Sequence, residues 1–446
     1  MKPNDLPVDP VAVSPQAKPR TRLRALRRDD HSGVMALFER HGWPQRSRAG
    51  WDWALFDSPA YRATDADAGW VLEFGDAIVG FLGNLPVMAR HDGAPVWGAT
   101  CTSYLVDDAQ RAHSTRLMRA FAAQAGAAFT WSATANEHSA PVYQGFRYRP
   151  LPQVQAQQRL RWWAHEGAAA QAWAQSRGCA WLSGPAAAAG DAWSACKRIT
   201  SRPTQVQGLR VERLSAVDLL LVRTSHWPRT WNAWAKALAG RSGLWTDRSA
   251  ATMGWRMSDP DLCNDLALWA LRDAQGRMLG MCMARKLEAL AGGAPRAELM
   301  DFALLGQAPN GAAGLLLSQV LQWARSWRLA CVDAKRWTGA AALQLNALSP
   351  RVDSLPAQGV WMLVNQAPGL PALPQWPDWP RWDMTGTDSD DWFCTNGTSI
   401  RSDAAGWRNP RPLPAGFQPL SADDSSVQSS AAVSTSEGSK RNMSTV

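Results

Sequence analysis

The sequence predicts an α/β protein made of two similar domains, and three observations carry that expectation. A faint copy of the chain recurs at a displacement of 200 residues, with Gly80, Arg111, Ser114 and Leu117 lining up with Gly280, Gly311, Gly314 and Leu317. Upstream of each first glycine a Trp is followed by a Pro at nearly the same distance, Trp53 and Pro59 in one unit and Trp255 and Pro260 in the other. In both units, segments that alternate like strands are interleaved with segments of helical spacing. A repeat of this length is a whole domain rather than a solenoid unit. With 446 residues, 46% of them hydrophobic, the chain is long enough to bury two cores.

The first unit, residues 20–163, opens with a strand over Arg22 to Leu26. Asp29 or Asp30 caps a helix whose Val34, Leu37, Phe38 and His41 recur at helical spacing until Gly42 and Pro44 stop it. Gly69 to Phe74 and Ala77 to Leu85 are predicted as a hairpin turning at Gly75 and Asp76. A strand at Val96 to Val106, a helix at Gln110 to Ala125, a buried strand at Ala128 to Ala133 and a short helix at Glu137 to Tyr143 follow. Phe146 to Trp163 is expected to be extended. Residues 164–207, rich in Ala, Gly and Ser and including the run Pro185 to Gly190, are expected to bridge the halves, with a helix around Ala168 to Ser176.

The second unit, 208–366, repeats the plan. Strands are expected at Leu266 to Leu271 and Arg277 to Ala284 around a turn at Asp273 to Gly276, then at Ala297 to Leu305. A helix spans Gly311 to Trp327, its stripe formed by Leu316, Val320, Trp323, Ala324 and Trp327, before a strand at Leu329 to Ala334. Residues 367–408 alternate Pro with Trp (Trp376, Pro377, Trp379, Pro380, Trp382), which forbids a helix and predicts an extended strap. Residues 1–19 and the Ser-rich stretch 409–446 hold too little apolar surface to offset ordering entropy and are expected to be disordered.

Composition narrows the function classes. No stretch approaches the ~18 uninterrupted apolar residues of a membrane span, and the polar Met1 to Pro19 has no signal-peptide core, so a cytoplasmic protein is expected. The seven cysteines, Cys101, Cys179, Cys196, Cys263, Cys282, Cys331 and Cys394, are far apart and odd in number. That suits reduced core thiols better than a disulfide framework or zinc site. The net charge of +9 permits an anionic partner, but apart from Lys18 to Arg28 the basic residues are scattered, and no nucleic acid is expected. The 26 Trp serve as core and interface filler or as faces for sugar rings.

The order of strands and helices in the first unit, together with two motifs, resembles the GNAT N-acyltransferase superfamily, whose domain is a mixed twisted sheet flanked by helices. One motif runs from Val106 to Leu117, with Arg111, Ala112, His113, Ser114 and Thr115 at the helix start; the other runs from Asn136 through Ala140 and Tyr143 to Gly145 and Phe146. Together they cover most of residues 20–163. The second unit is similar to the same fold through Asn310, Gly311 and Gly314. The resemblance implies that acetyl-CoA or another acyl-CoA is bound as co-substrate, its pyrophosphate on bare amides at the helix start. Its pantetheine arm would lie along the splayed fourth strand. In the first unit Ala112, His113 and Ser114 stand where the family has glycines.

Acyl transfer needs a deprotonated amine, a polarised thioester carbonyl and a proton for the departing thiolate. The resemblance makes Tyr143 the candidate acid and places Asn136 beside it. Glu73, Glu137 and His138 are candidate bases, or surface and capping residues, and water-mediated deprotonation is the alternative. On the fourth strand, alternation places Thr100, Thr102 and Tyr104 on one face and Cys101 and Ser103 on the other. Asp301 lies in an apolar strand, where it needs a substrate or a structural salt bridge as partner. The stretch Trp382 to Trp392, with Asp388, Asp390 and Asp391, looks like the acidic ending of tandem GNAT-like proteins encoded with bacterial exopolysaccharide genes. That match implies an amino sugar or glycan precursor as acceptor. Asp388, Asp390 and Asp391 lack the calcium-loop pattern, so a solvated turn is expected there. Two alternatives stand beside an N-acyltransferase: a non-catalytic scaffold that binds a glycan or a biosynthetic partner, and a FemAB-like aminoacyl transferase using charged tRNA.

Overall fold

Helical spacing and strand alternation produce the expected elements in their expected order, with further helices and strands between them. A computed structural model describes residues 20–388, apart from 136, 138, 153, 201–205, 222–224, 288–293, 356–358, 366–381 and 383. The first half comprises β1 (Arg22–Ala25), α1 (His31–Arg40), α2 (Arg48–Leu55), α3 (Pro59–Ala63), β2 (Gly69–Phe74), β3 (Ala77–His91), β4 (Ala94–Val106), α4 (Ser114–Ala122), β5 (Phe129–Ala135), α5 (Ala140–Gly145), β6 (Arg149–Pro150) and β7 (Gln158–Trp163). Two bridging helices follow, α6 (Glu166–Ser176) and α7 (Ser183–Thr200). The second half comprises β8 (Arg210–Leu214), α8 (Ala216–Leu220), α9 (Trp227–Ala239), β9 (Leu244–Thr246), α10 (Ala250–Met257), β10 (Leu266–Arg272), β11 (Met278–Leu287), β12 (Arg296–Leu304), α11 (Ala312–Ser326), β13 (Cys331–Lys335), α12 (Gly339–Asn346), β14 (Arg351–Ser354) and β15 (Gly359–Val364).

The predicted class holds: the protein is α/β, with two mixed sheets flanked by helices. Among the described residues the first sheet runs β1-β2-β3-β4-β5-β15-β6 with β9 beside β3, and the second runs β8-β10-β11-β12-β13-β7-β14. In each, one internal pair is parallel, β4 with β5 and β12 with β13. The stretch expected to close the first unit ends instead in the second sheet, where β7 pairs with β13 from Cys331↔Trp163 to Lys335↔Arg159. Reciprocally, β15 pairs with β5 from Val364↔Phe129 to Gly359↔Ala135. Each half therefore gives its last strand to the other's sheet.

The Ala-rich run read as linker is helical. Ala is the strongest helix former and Pro185 sits in the first turn of α7, where its missing N–H costs nothing. A Cβ on Gly190 would lie 2.6 Å from the Glu166 carbonyl and from Gly167 Cα, so these small residues let α6 and α7 pack backbone to backbone. The helix expected from Gln110 begins as a 3-10 turn, Asp108–His113, before α4. α4 lays Leu117, Met118 and Phe121 on one face of the first sheet, and α1 and α2 lay Val34, Phe38 and Trp51 on the other. Among the described residues no helix is long and apolar enough to cross a membrane. The two terminal segments expected to be disordered, and all of the strap but Trp382 and 384–388, lie outside the described residues. Cys101, Cys282 and Cys331 are buried, whereas Cys196 and Cys263 are exposed.

Candidate active site

Two neighbouring parallel strands part company in the first sheet. β4 and β5 pair at Gly98↔Phe129, Ala99↔Thr130 and Thr100↔Trp131, and the ladder ends there although both strands run on. The parting coincides with a bulge: Gly83 faces Thr102 and Phe81 faces Leu105, so Ser103 and Tyr104 together oppose Leu82. Ser103 takes up the extra residue with φ of 55°. The bulge also resets the alternation. Tyr104 packs in the α4-side core with Cys101, while Leu105 joins Phe81 on the opposite face. The expectation that Tyr104 shares the face of Thr100 and Thr102 fails for this reason.

Tyr143 is buried in the core on the α4 side of the parting strands. Its hydroxyl lies 3.1 Å from Cys101 Sγ on β4, with Ser132 of β5 as a further neighbour. Cys101 and Ser132 each follow a member of the last ladder pair. Burial pushes the Tyr143 phenol well above its ordinary value, so it stays protonated through the neutral range. Asn136 and His138 lie outside the described residues. Glu73 receives Arg24 Nε at 2.7 Å and Glu137 is exposed.

The loop beyond β4 differs from a bare-amide cradle. In its 3-10 turn the Gln110 amide donates to the Asp107 carbonyl at 2.9 Å and the Ser114 amide donates to the Arg111 carbonyl. Arg111 and Ala112 are exposed, with Arg111 paired to Asp108, while His113, Ser114 and Thr115 are half-buried. Asp107 anchors the turn by accepting from Arg40 and contacting His41 Nε2, each at 2.8 Å. In the second half Gly311 adopts φ of +89° just ahead of α11, and a Cβ there would meet Val206 Cγ2 at 3.1 Å. Asn310 is exposed and Gly314 half-buried against Leu348.

The second crevice is occupied by the chain itself. The β12–β13 ladder ends at Glu298↔Asp333, and the residues 384–388 enter beyond it. The Thr338 amide donates to the Met384 carbonyl at 3.1 Å, and a Cβ on Gly386 would stand 2.9 Å from the Met300 carbonyl. Asp301 is fully buried and fully engaged there. Arg248 contacts it three times at 3.0 to 3.1 Å, Thr387 donates to it at 3.1 Å, and its own oxygen accepts the Phe302 amide at 2.9 Å. Asp388, expected on a solvated turn, is instead 0% exposed and 3.8 Å from Arg248, and burial pushes its carboxyl up. Asp390 and Asp391 lie outside the described residues. Among the described residues, no three His, Cys, Asp or Glu side chains gather as a metal site needs.

Where the halves meet, Trp53 and Trp255 stack at 4.6 Å and 21°. Each indole N–H donates to the other residue's carbonyl, at 2.9 and 3.1 Å. Two shallow clefts flank this pair, one of about 460 Å³ and walled by Trp255, the other of about 300 Å³ and walled by Trp53, both volumes including space open to solvent. The larger reaches Thr100, the last paired residue of β4, and is floored by Leu85, Val87 and Met88 of β3. Thr100 Oγ1 is buried with no hydrogen-bond partner among the described residues. Asp247 also lines it, accepting from Ser249 Oγ at 2.8 Å and from Thr252. Arg256 and Thr387 line both clefts.

Sequence reasoning missed Arg256, Asp247 and the cleft. The signal was present: Arg46, Ser47, Trp53 and Ala54 stand 202 residues before Arg248, Ser249, Trp255 and Arg256. Ser47 and Ser249 cap α2 and α10, accepting from Gly50 and Thr252 amides. Arg46 and Arg248 are both buried, Arg46 reaching across to Asp259 and to Asp261 at 3.2 Å.

No family model and no curated protein matches the sequence. Among solved structures the chain is similar to a GCN5-related N-acetyltransferase from Kribbella flavida (TM-score 0.49, 11% identity, 78% of this chain and 71% of that one). It is similar to another from Anabaena variabilis (0.47, 12%, 77% and 73%). A third likeness is to Saccharomyces cerevisiae N-myristoyltransferase with bound myristoyl-CoA and inhibitors (0.44, 10%, 80% and 82%). At these identities the likeness concerns the course of the chain.

Proposed function

We propose that the protein is a tandem GNAT-like N-acyltransferase, its units at 20–163 and 208–366, that transfers an acyl group from acyl-CoA to an amine in the cytoplasm. The observation that carries this reading is the parting of β4 from β5 immediately after Thr100↔Trp131, beside a cleft that reaches Thr100. Successive strand residues face opposite ways, so Thr100 looks into the cleft while Cys101 and Tyr143 guard the crevice from the α4 side. A thioester lying between the strands would meet the amine from one face and the phenol from the other.

The amine nitrogen attacks the thioester carbon, the carbon–sulfur bond breaks, and an amide and a CoA thiolate are the products. Asp247, the carboxylate lining the cleft, first takes a proton from the bound ammonium to leave the attacking amine, and Tyr143 gives one to the thiolate and is restored by the proton the nitrogen loses as the amide forms. Because the loop amides at Gln110 and Ser114 are already bonded, side chains such as Arg111 would carry more of the pyrophosphate than in a glycine-rich loop. The second half serves as support, since 384–388 fill its crevice; this is the scaffold role, confined to one half. The acidic ending would suggest an amino sugar, but Trp382 is 1% exposed and packs on Phe129 and Trp131, so it offers no face to a ring.

Calorimetry of the full chain with acetyl-CoA and with longer acyl-CoA tests the reading. One of them should bind, and Thr100→Arg, which fills the end of the cleft, should abolish turnover while leaving that binding within about two-fold. No heat from any acyl-CoA would favour a scaffold throughout.

A further inference from the structure

We propose that the larger cleft takes an amine that also carries a carboxylate, a free amino acid with an apolar side chain, and that Arg256 holds that carboxylate. The acyl-transfer reading supplies what then happens to the amine; the binding stands on the cleft itself.

Arg256 is a buried cation short of hydrogen-bond partners. It is 6% exposed, and its Nε has no hydrogen-bond partner among the described residues. Its nearest carboxylate, Asp301, is 3.7 Å away and is already gripped by Arg248. What remains is the Thr387 carbonyl at 3.3 Å and the weak acceptor Met253 Sδ at 3.9 Å. Burial pushes the guanidinium below its ordinary value, and Arg248 adds to this, against the opposing pull of Asp301, Asp388 and Asp247. A desolvated guanidinium with a vacant donor is costly unless an acceptor completes it, and its planar fork fits a carboxylate in two parallel hydrogen bonds. The equivalent position in the first half, Ala54, lines the same cleft without charge.

The rest of the cleft supplies the other two features of an amino acid. Leu85, Val87, Met88 and Trp255 give an apolar wall. Thr100, whose hydroxyl has no partner among the described residues, and Asp247 give an acceptor pair for an ammonium. One ligand would thus satisfy Arg256 and the Thr100 hydroxyl together, while its amine points to the end of the β4–β5 ladder.

The test compares leucine, methionine and phenylalanine with their carboxamides, by calorimetry on the full chain with and without acyl-CoA. At least one amino acid should bind, and its carboxamide should bind about thirty-fold more weakly. Arg256→Gln should erase that difference and Arg256→Lys should keep part of it. If Arg256→Gln does not fold, the wild-type comparison still decides. Equal binding of acid and amide, or no binding of any of the three, overturns the proposal, whether or not acyl-CoA binds. Amino acid binding with the acid-over-amide preference, in a protein that gives no heat with acyl-CoA, upholds this site and removes the transfer reading.

Discussion

Tyr143 is the residue on which the chemistry is most sharply testable. Its hydroxyl sits between Cys101 and Ser132, one from each parting strand, and nothing but that hydroxyl separates it from Phe. Tyr143→Phe should lower kcat about 100-fold, the range for loss of a general acid, and change the acyl-CoA dissociation constant less than about two-fold. Equal loss in both, in single-turnover and binding measurements, would make Tyr143 a packing residue. The same burial acts on stability. The phenols of Tyr143 and Tyr148 are pushed above their ordinary value, and Tyr104 up to about 12. The folded state thus holds these protons more tightly than the unfolded chain. Their contribution is intact below about pH 10 and is lost progressively as pH rises beyond it. Tyrosinate absorbance should therefore develop together with loss of far-ultraviolet helix signal above that pH, and tyrosinate appearing well before unfolding would show these phenols to be accessible.

At the scale of elements, the last described segment decides whether the second crevice is open. Gly386 passes the Met300 and Leu299 carbonyls so closely that a side chain must displace backbone. Gly386→Val should cost about 1–3 kcal/mol in denaturant unfolding, as an overpacked site does. It should also speed hydrogen exchange in β12 beyond Glu298, where the segment covers the strand. Unchanged exchange there would mean that 384–388 do not close the crevice. Local pattern made much of this level legible. β1 to β5 and β10 to β13 follow from strand patterning, and α1 and α11 from the spacing of Val34, Leu37 and Phe38, or of Leu316, Val320 and Trp323, whereas β8, β9, β14 and β15 were not foreseen. The bulge was not legible, because Ser103 gives no local sign of φ near 55° and only pairing with β3 demands it. Nor was α7, where Ala and Gly make both linkers and close helix contacts, and only the partner helix tells which. Asp301 was legible as a carboxylate in need of a partner, but Arg248 lies 53 residues earlier in the chain and no spacing rule joins them.

At the scale of the whole molecule, strand exchange makes the halves inseparable. Without β15 the first sheet would leave β5 with an open edge, and without β7 the second would leave β13 with one. Trp53 and Trp255 add a stacked, doubly hydrogen-bonded joint, and Arg46 crosses to Asp259 with both side chains buried. Trp53 and Trp255, paired in the sequence reading as a repeat, thus lie at the contact between the halves, and each cleft is lined by residues of both. Two domains joined by a simple linker unfold in two steps, whereas two sheets that each contain a strand of the other lose their edges together. Differential scanning calorimetry should accordingly show one transition, with van't Hoff and calorimetric enthalpies equal. Trp53→Ala or Trp255→Ala should shift that single transition to lower temperature without splitting it, because the exchanged strands still tie both sheets. A resolved second transition in either variant would mean that each half folds around its own strands, and the cleft shared by Arg256 would then be a contact between independent domains instead of a site built by one cooperative fold.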